Sequence, residues 1–222
     1  MKNIKAVLRN IEVFDSLSDE EIAKLASISK IEHYAPNSIV FYENDDLSHI
    51  YYLIEGRVKL YKNKIDKFNN EIFLDDMKDD SFIYLIKKTY RNEVVCSTFY
   101  SVETLTEAEI LVIDIEKFKN MFISKYEILS GVLHETYKLL AQFQHIINRD
   151  LIYDGTAKVA HMLCNDLEEF NDLKKNEIAY HLHIQPETLS RIVKKLEKEG
   201  YIKIENRNVT ILNRSGLENF FK

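Results

Sequence analysis

The sequence predicts an α+β protein in three consecutive parts: a β-roll over residues 1–115, a long helix over 116–152, and short helices with a β-hairpin over 153–222. Runs of β-branched and aromatic residues, broken by polar residues about every ten positions, predict the roll. A helical period without proline from Phe118 to Ile147 predicts the long helix. A charged segment between Pro186 and Gly200, followed by the alternating stretch YIKIENRNVTIL, predicts a final helix and hairpin.

Composition is typical of a globular protein. The chain has 222 residues, of which 45% are apolar, and this is enough to form substantial cores. The first twenty residues mix charged and aliphatic side chains, unlike a signal peptide or a membrane span, so we expect a cytoplasmic protein without membrane contact. Residues 1–148 carry 18 Lys and Arg against 24 Asp and Glu, and residues 149–222 carry 12 of each. Bulk charge alone therefore does not indicate nucleic-acid binding.

The N-terminal part begins with a predicted helix and continues as strands. Ser18 followed by Glu21 has the spacing of a capping box, which predicts a helix that begins after Ser18. From Ile31 the pattern changes to strand-like runs, which predict an antiparallel roll over 31–115. These runs are SIVFYENDDLSHIYYLIEGRVKLYK, EIFLDDM, SFIYLI, EVVCSTFYSVETL and AEILVID. Cys96 and Cys164 lie far apart without zinc-type spacing, so we expect buried thiols rather than a disulfide or a zinc site.

The helix predicted from Glu116 to about Ile152 is longer than either neighbouring part needs for its own core. Some thirty residues would span about 45 Å. Its apolar stripe needs a partner, and a second copy of the same helix would give a twofold homodimer. The alternative is a helix that packs wholly on its own β-roll. The stripe consists of Phe118, Phe122, Leu129, Val132, Leu133, Leu140, Phe143 and Ile147.

The C-terminal part has the pattern of a helix-turn-helix followed by a two-stranded wing. The order is a helix at TAKVAHMLCNDLEEF, a helix at DLKKNEIAYHL, a tight turn, a helix from Pro186, and a hairpin that turns at residues 206–208. Small Ala179 would let the two motif helices approach closely. The predicted inner face consists of Ile178, Ala179, Leu182, Ile184, Leu189, Ile192 and Val193.

The polar face of the second motif helix carries the candidate DNA contacts. Glu187 and Arg191 are four residues apart, so they could form a salt bridge on a solvated surface. Alternatively, Arg191 could donate to guanine and Glu187 accept from cytosine in the major groove, and the motif context favours this interpretation. We predict base reading by Glu187, Ser190 and Arg191. Candidate contacts to the DNA backbone are Gln185, Thr188, Lys194, Lys195, Lys198, Lys203 and Arg207.

The segment from Glu177 to Phe220 resembles the C-terminal winged helix of the Crp/Fnr family of transcription regulators. The stretches YYLIEGRVKLY and TLTEAEILVIDIEKF resemble the effector domain of that family, whose fold is a cyclic-nucleotide-binding jelly roll. The resemblance implies that Glu187, Ser190 and Arg191 read a TTGA-type half-site of a palindrome in double-stranded DNA. It also implies RNA polymerase as a partner. One departure lies in the motif turn, where His183 replaces the usual glycine and must adopt a positive φ.

The resemblance also suggests what the effector domain has lost. Relatives that bind cyclic AMP hold its phosphate with Gly-Glu and Arg-Ser/Thr pairs, whereas this chain has SFIYLI and Thr98-Phe99 at the matching positions. An unpaired buried phosphate would be costly, so we expect no cyclic AMP binding. An iron–sulfur cluster needs about four thiolates, and the chain has two cysteines, so we expect no iron–sulfur cluster. The candidate pocket is apolar and aromatic, formed by Phe73, Phe82, Tyr84, Val95, Phe99 and Tyr100.

The sequence is compatible with more than one kind of effector. The aromatic residues either fill a vestigial cavity or surround an apolar ligand, a gas such as nitric oxide, or haem. Weak candidates for a haem ligand are His33, His49 and Cys96. The alternatives to a switched regulator are a ligand-independent DNA binder and, from another class, a cupin-like metalloenzyme. An enzyme would need clustered metal ligands and would leave the wing unexplained, so we expect no enzymatic activity.

Overall fold

The computed structural model describes residues 2–63, 71–83, 87–90, 93–96, 98, 100–122, 124–205 and 208–222, with the backbone alone at 87–90 and 93–96. The chain forms two compact units, Met1–Ala141 and Gln142–Lys222. The division lies inside the predicted long helix, and the three-part boundaries proposed from sequence stay a prediction. Among the described helices, none has both the length and the apolar composition needed to cross a membrane.

The N-terminal unit begins with helices that pack on the roll. They are α1 (Ile4–Arg9), a 3-10 turn (Glu12–Phe14) and α2 (Asp19–Ser27), of which only α2 was predicted. The capping box is confirmed: the Ser18 hydroxyl accepts from the backbone N–H of Glu21 at 3.3 Å, and the Glu21 carboxylate accepts from the N–H of Ser18 at 2.9 Å. Leu8, Phe14 and Leu25 from these segments are almost fully buried.

The predicted β-roll is confirmed as two four-stranded antiparallel sheets with the orders β1-β10-β3-β6 and β2-β9-β4-β5. A separate hairpin pairs β7 with β8. The strands are β1 (Ser29–Tyr34), β2 (Ile39–Phe41), β3 (His49–Glu55), β4 (Arg57–Asn63), β5 (Glu71–Lys78), β6 (Ser81–Ile83), β7 (Lys87–Tyr90), β8 (Glu93–Cys96), β9 (Ser101–Thr104) and β10 (Ala108–Asp114). The single run EVVCSTFYSVETL thus contributes two strands.

Alternation along the strands of the first sheet supplies two cores. On β3, Leu53 packs into the core between the sheets, whereas Tyr52 faces a second core formed with the N-terminal helices. On β10, Ile110 packs into the core between the sheets and Leu111 into the second core. Successive side chains of a strand point to opposite faces, so one sheet buries both of its faces. These strands therefore read as almost continuous apolar runs.

The long helix is confirmed, but it is shorter than predicted. α3 (Ile115–Phe122) ends before α4 (Tyr126–Ile147) begins, and a π-helical turn (Asn148–Ile152) follows α4. The predicted uninterrupted helix from Glu116 is wrong, since Ser124 and Lys125 between the two helices are not helical. The N–H of Lys125 donates to the carbonyl of Phe122 at 3.0 Å at the end of α3. Phe118 and Phe122 of α3 are buried in a core that they share with the N-terminal helices.

The C-terminal unit contains the predicted helices and wing. The first predicted helix is divided into two, and one helix that was not predicted follows the wing. The helices are α5 (Gly155–Asn165), α6 (Leu167–Asp172), α7 (Lys175–His181), α8 (Pro186–Lys198) and α9 (Arg214–Glu218). The wing strands are β11 (Ile202–Glu205) and β12 (Asn208–Ile211), which pair antiparallel. The Asn171 amide donates to the Val209 carbonyl at 3.1 Å and accepts from the Val209 N–H at 2.8 Å, which ties the wing to α6.

Candidate DNA-reading site

Apolar packing positions the two motif helices as predicted. Ile178 and Ala179 of α7 and Leu189, Ile192 and Leu196 of α8 are at most 8% exposed, and they share one core with α5 and the wing. Leu182 is also buried, whereas Ile184 and Val193 are partly buried at the edge of this core. α8 therefore presents its remaining sides to solvent.

The turn between α7 and α8 forms despite the histidine in the glycine position. His183 has φ +52, as the sequence required. The N–H of Ile184 donates to the carbonyl of Ala179 at 3.0 Å, and the N–H of His183 donates to that of Tyr180 at 3.2 Å. This is the hydrogen-bond pattern of a Schellman motif. Gly200, with φ +78, ends α8 in the same way.

The first two turns of α8 carry the predicted base readers. Pro186 occupies the first helical position, where its missing N–H costs no helical hydrogen bond. Glu187 and Arg191 are exposed, and Ser190 is partly buried, with its hydroxyl donating to the carbonyl of Pro186 at 3.1 Å. The Arg191 guanidinium donates to the Thr188 hydroxyl at 3.3 Å. Within the described part of the chain no ion pair joins Glu187 to Arg191, so both head groups face solvent.

Four charged residues form one stripe along α8. Helical residues advance by about 100° each, so Glu187, Arg191, Lys194 and Lys198 fall within about 60° of one another. The stripe lies opposite Leu196, which is fully buried. Lys195 lies on its flank and is also exposed. A stripe of this geometry can enter a groove while the opposite face holds the helix to its domain.

The remaining predicted DNA contacts lie around the beginning of α8 and on the wing. Gln185 is exposed immediately before α8, and Thr188 is partly buried. On the wing, Lys203 is exposed and pairs with Glu205 at 2.5 Å, so a phosphate would compete with that carboxylate. Arg207 lies outside the described residues. The predicted turn at residues 206–208 lies largely outside them too.

A charged cluster beside the turn was missed by the sequence analysis. The His183 imidazole Nδ1 lies 3.1 Å from the Asp150 carboxylate, and the Lys158 ammonium lies 3.9 Å from it. Burial alone would raise the pKa of Asp150, but hydrogen bonds from His183 and Arg149 outweigh it and hold the pKa well below its usual range. Burial lowers the pKa of Lys158. His183 in a glycine position was the only signal of this cluster in the sequence.

The candidate effector pocket is described only in part. Tyr84 and Phe99, and the side chains of Val95 and Cys96, lie outside the described residues. Phe73 and Tyr100 are each 2% exposed, and Tyr100 packs between the sheets. Phe82 is not brought together with Tyr100, because it lies on the other face of its sheet, edge-on to Tyr52 with ring centroids 4.8 Å apart.

The candidate haem ligands that are described do not converge. The His33 side chain is 53% exposed and pairs with Glu109 at 3.3 Å, and the His49 ring contacts the Ser48 hydroxyl at 3.0 Å. Over the residues with described side chains, no three His, Cys, Asp or Glu groups are arranged to hold a metal ion.

The Cys164 thiol is buried and free, and burial raises its pKa. Raising the pKa reduces the thiolate fraction and hence its reactivity.

Comparisons with known proteins agree with this architecture. Residues 31–125 match the model of the cyclic nucleotide-binding domain, and residues 157–220 match that of the Crp-like helix-turn-helix domain. A probable transcriptional regulator, flp, from Lacticaseibacillus casei is 21% identical over 224 residues, which cover 95% of each chain.

Solved structures show the same fold. A CooA mutant from Carboxydothermus hydrogenoformans has a TM-score of 0.71 at 19% identity, covering 96% of this chain and 95% of that one. A regulator described as crp/fnr family from Eubacterium rectale has a TM-score of 0.64 at 17% identity, covering 94% and 96%. Crp/Fnr proteins are transcription regulators rather than enzymes, so the metalloenzyme alternative is set aside. With both domains matched in this order, the chain belongs to the Crp/Fnr family of DNA-binding transcription regulators.

Proposed function

We propose that the chain acts as a homodimer in the cytoplasm and regulates transcription from a TTGA-type palindrome. Glu187, Ser190 and Arg191 of each copy read one half-site, and flanking lysines bind phosphates. Reading such a half-site with Glu187, Ser190 and Arg191 would place the chain in the Fnr-like branch of the family. The bound dimer would act through RNA polymerase. Its DNA binding would be controlled by a small molecule other than cyclic AMP, or by a gas.

The exposed stripe on α8 is the observation that carries base reading. The Arg191 guanidinium has no carboxylate partner among the described residues, and it can donate two parallel hydrogen bonds to guanine. The Glu187 carboxylate is exposed and can accept from a cytosine amino group. Lys194 and Lys198 continue the stripe towards the C-terminal end of α8. There they can contact the phosphates that flank the groove. Charge is thus concentrated on the face that is not needed for folding.

The two faces of α4 support the homodimer. Ile128 is fully buried, and Gly131 approaches Val13 so closely that a Cβ would lie 3.1 Å from its Cγ1 atom. The glycine that interrupts the apolar pattern is thus a packing contact. A separate stripe stays exposed on the described chain, with Leu129, Leu133, Tyr137, Leu140 and Ile147 each 51–61% exposed. A second copy of α4 would cover it, since each helix offers the same apolar seam about 33 Å long.

The proposal that the effector is not cyclic AMP depends on phosphate-binding residues that are missing from the β-roll. The SFIYLI and Thr98-Phe99 segments lack the Gly-Glu and Arg-Ser/Thr pairs that hold a cyclic nucleotide phosphate in the family. The second candidate is a ligand-independent regulator, and it is favoured by Phe73 and Tyr100, which are packed into the interior. Haem and nitric oxide remain the probes of choice for the switched alternative. An absorbance spectrum of protein purified without oxygen, recorded with and without both, tests a haem-linked switch: a Soret band would support it, and the absence of a band after haem addition would count against it.

Base reading is tested by two substitutions on the same stripe. Arg191→Ala should cost about 1–3 kcal/mol of binding free energy on the selected sequence and relax the preference at one base pair of each half-site. Lys198→Ala is the matched control and should weaken binding to all sequences while flattening the salt dependence. Affinities are measured on duplexes that carry each base change, at several salt concentrations. An equal loss for Arg191→Ala on selected and random DNA would contradict base reading.

A further inference from the structure

His183 occupies a backbone conformation that favours glycine. Its φ of +52 places the Cβ close to the following carbonyl, a crowding that glycine avoids. A side chain at this position can nevertheless make a contact that glycine cannot. The imidazole Nδ1 lies 3.1 Å from the Asp150 carboxylate, thirty-three residues earlier in the chain, and the two side chains are 26% and 21% exposed. The strained residue therefore gains a partly buried partner.

Asp150 lies in the π-helical turn that follows α4, so the contact joins two separate segments of the C-terminal unit. The Arg149 guanidinium donates to both Asp150 carboxylate oxygens, each at 3.0 Å. The carboxylate thus stays ionised although it is partly buried. An ionised acceptor strengthens its hydrogen bond to the imidazole.

Two neighbouring contacts support the same connection. The Lys158 side chain of α5 is 9% exposed, and its ammonium donates to the carbonyl of Leu182, the residue before His183, at 3.1 Å. At the start of α5, a Cβ on Gly155 would lie 3.1 Å from the Ile192 Cδ1 atom. The segment after α4 is therefore packed against both the motif turn and the inner face of α8.

We propose that His183 and Asp150 are positioning residues for DNA reading. Their pair fixes the motif turn, and with it the first turn of α8, against the π-helical turn, so that Glu187 and Arg191 meet the bases in a defined orientation. This inference rests on the proposed role of α8. The pair would increase the affinity for the selected DNA without being needed for folding.

The test compares three variants of the full chain. His183→Gly removes the pair and relieves the backbone, so the midpoint of thermal unfolding should stay the same or rise, while affinity for the selected DNA falls about three- to tenfold. His183→Asn should restore most of that affinity, since asparagine tolerates a positive φ and its amide nitrogen can replace the imidazole Nδ1. Asp150→Asn should weaken binding, and adding His183→Gly to it should cause little further loss.

Asn37→Gly is the matched control, because Asn37 also has a positive φ, +60, in the N-terminal unit. It should leave DNA affinity unchanged. Wild-type affinity of His183→Gly, losses that multiply in the double variant, or failure of asparagine to restore binding would each overturn the proposal. A wild-type chain without sequence preference would instead contradict the base-reading function itself, so the two failures are distinguishable.

Discussion

The Glu21 carboxylate has two partners at the beginning of α2. It pairs with the Lys125 ammonium and accepts from the backbone of Ser18 in the capping box. The Lys125 contact, followed by the Ser18 hydrogen bond, lowers the pKa of Glu21 to about 2. A carboxylate whose pKa is lowered on folding stabilises the fold above its unfolded pKa, and this contribution is lost as the pH falls through the folded value.

Glu21→Gln should therefore lower the thermal midpoint at neutral pH. The difference from wild type should shrink below about pH 4.5 and disappear only below about pH 2, where Glu21 is protonated and both chains are uncharged at this position. Thermal unfolding followed by circular dichroism over this pH range gives the result. Glu107→Gln, which changes an exposed loop carboxylate, should have little effect at any pH. A difference that stays constant with pH would rule out the charge of Glu21 as its cause.

The conformation of a single residue could be predicted where it depends only on residues nearby in the sequence. The cap at Ser18 and the positive φ of Gly200 and His183 follow from residues within a few positions along the chain. The contact between His183 and Asp150 could not be predicted in this way. It depends on the fold bringing a π-helical turn next to the motif turn, and in the part of the chain that the structure describes neither side chain has a partner three or four residues away.

At the scale of elements, α8 is held by burial more than by helix propensity. It has thirteen residues, a length at which isolated helices are marginal in water. Its inner face packs Leu189, Ile192 and Leu196 into the core of the C-terminal unit. Leu196→Ala should therefore destabilise this unit by about 2–5 kcal/mol, through lost burial and the cavity left behind.

Urea unfolding of the full chain, followed by near-ultraviolet signals from both units, measures this loss. Lys195→Ala is the neighbouring control, and as an exposed substitution it should change the unfolding free energy by less than about 0.5 kcal/mol. Similar losses in the two variants would mean that α8 does not depend on its inner face. Reduced DNA binding by Leu196→Ala would then need another explanation.

The boundaries of elements were harder to predict than their existence. The apolar period continues from Phe118 through Leu140, yet Phe118 and Phe122 face the core of the N-terminal unit while Leu133 and Leu140 are exposed. One periodic pattern thus covers two helices with different partners. Which partner each apolar residue finds depends on the tertiary structure, so the break before Tyr126 has no local signal in the sequence.

For the whole molecule, the proposed homodimer depends on the two faces of α4. One face is used within the N-terminal unit, where Ile128 is buried and Gly131 contacts Val13. The other leaves Leu133 and Leu140 each more than half exposed. A helix-turn-helix dimer reads two half-sites about one DNA turn apart, so binding to a palindrome depends on the second copy.

Changing both Leu133 and Leu140 to Asp should convert the proposed dimer to monomers, because burying four carboxylates in one seam is strongly unfavourable. The palindrome affinity should then fall by more than tenfold, towards that of a single half-site, while far-ultraviolet circular dichroism stays unchanged. Sedimentation at several protein concentrations measures the association. His134→Asp places a charge about 100° around α4 from Leu133 and should remain dimeric. If the double variant still sediments as a dimer, the copies associate through another surface.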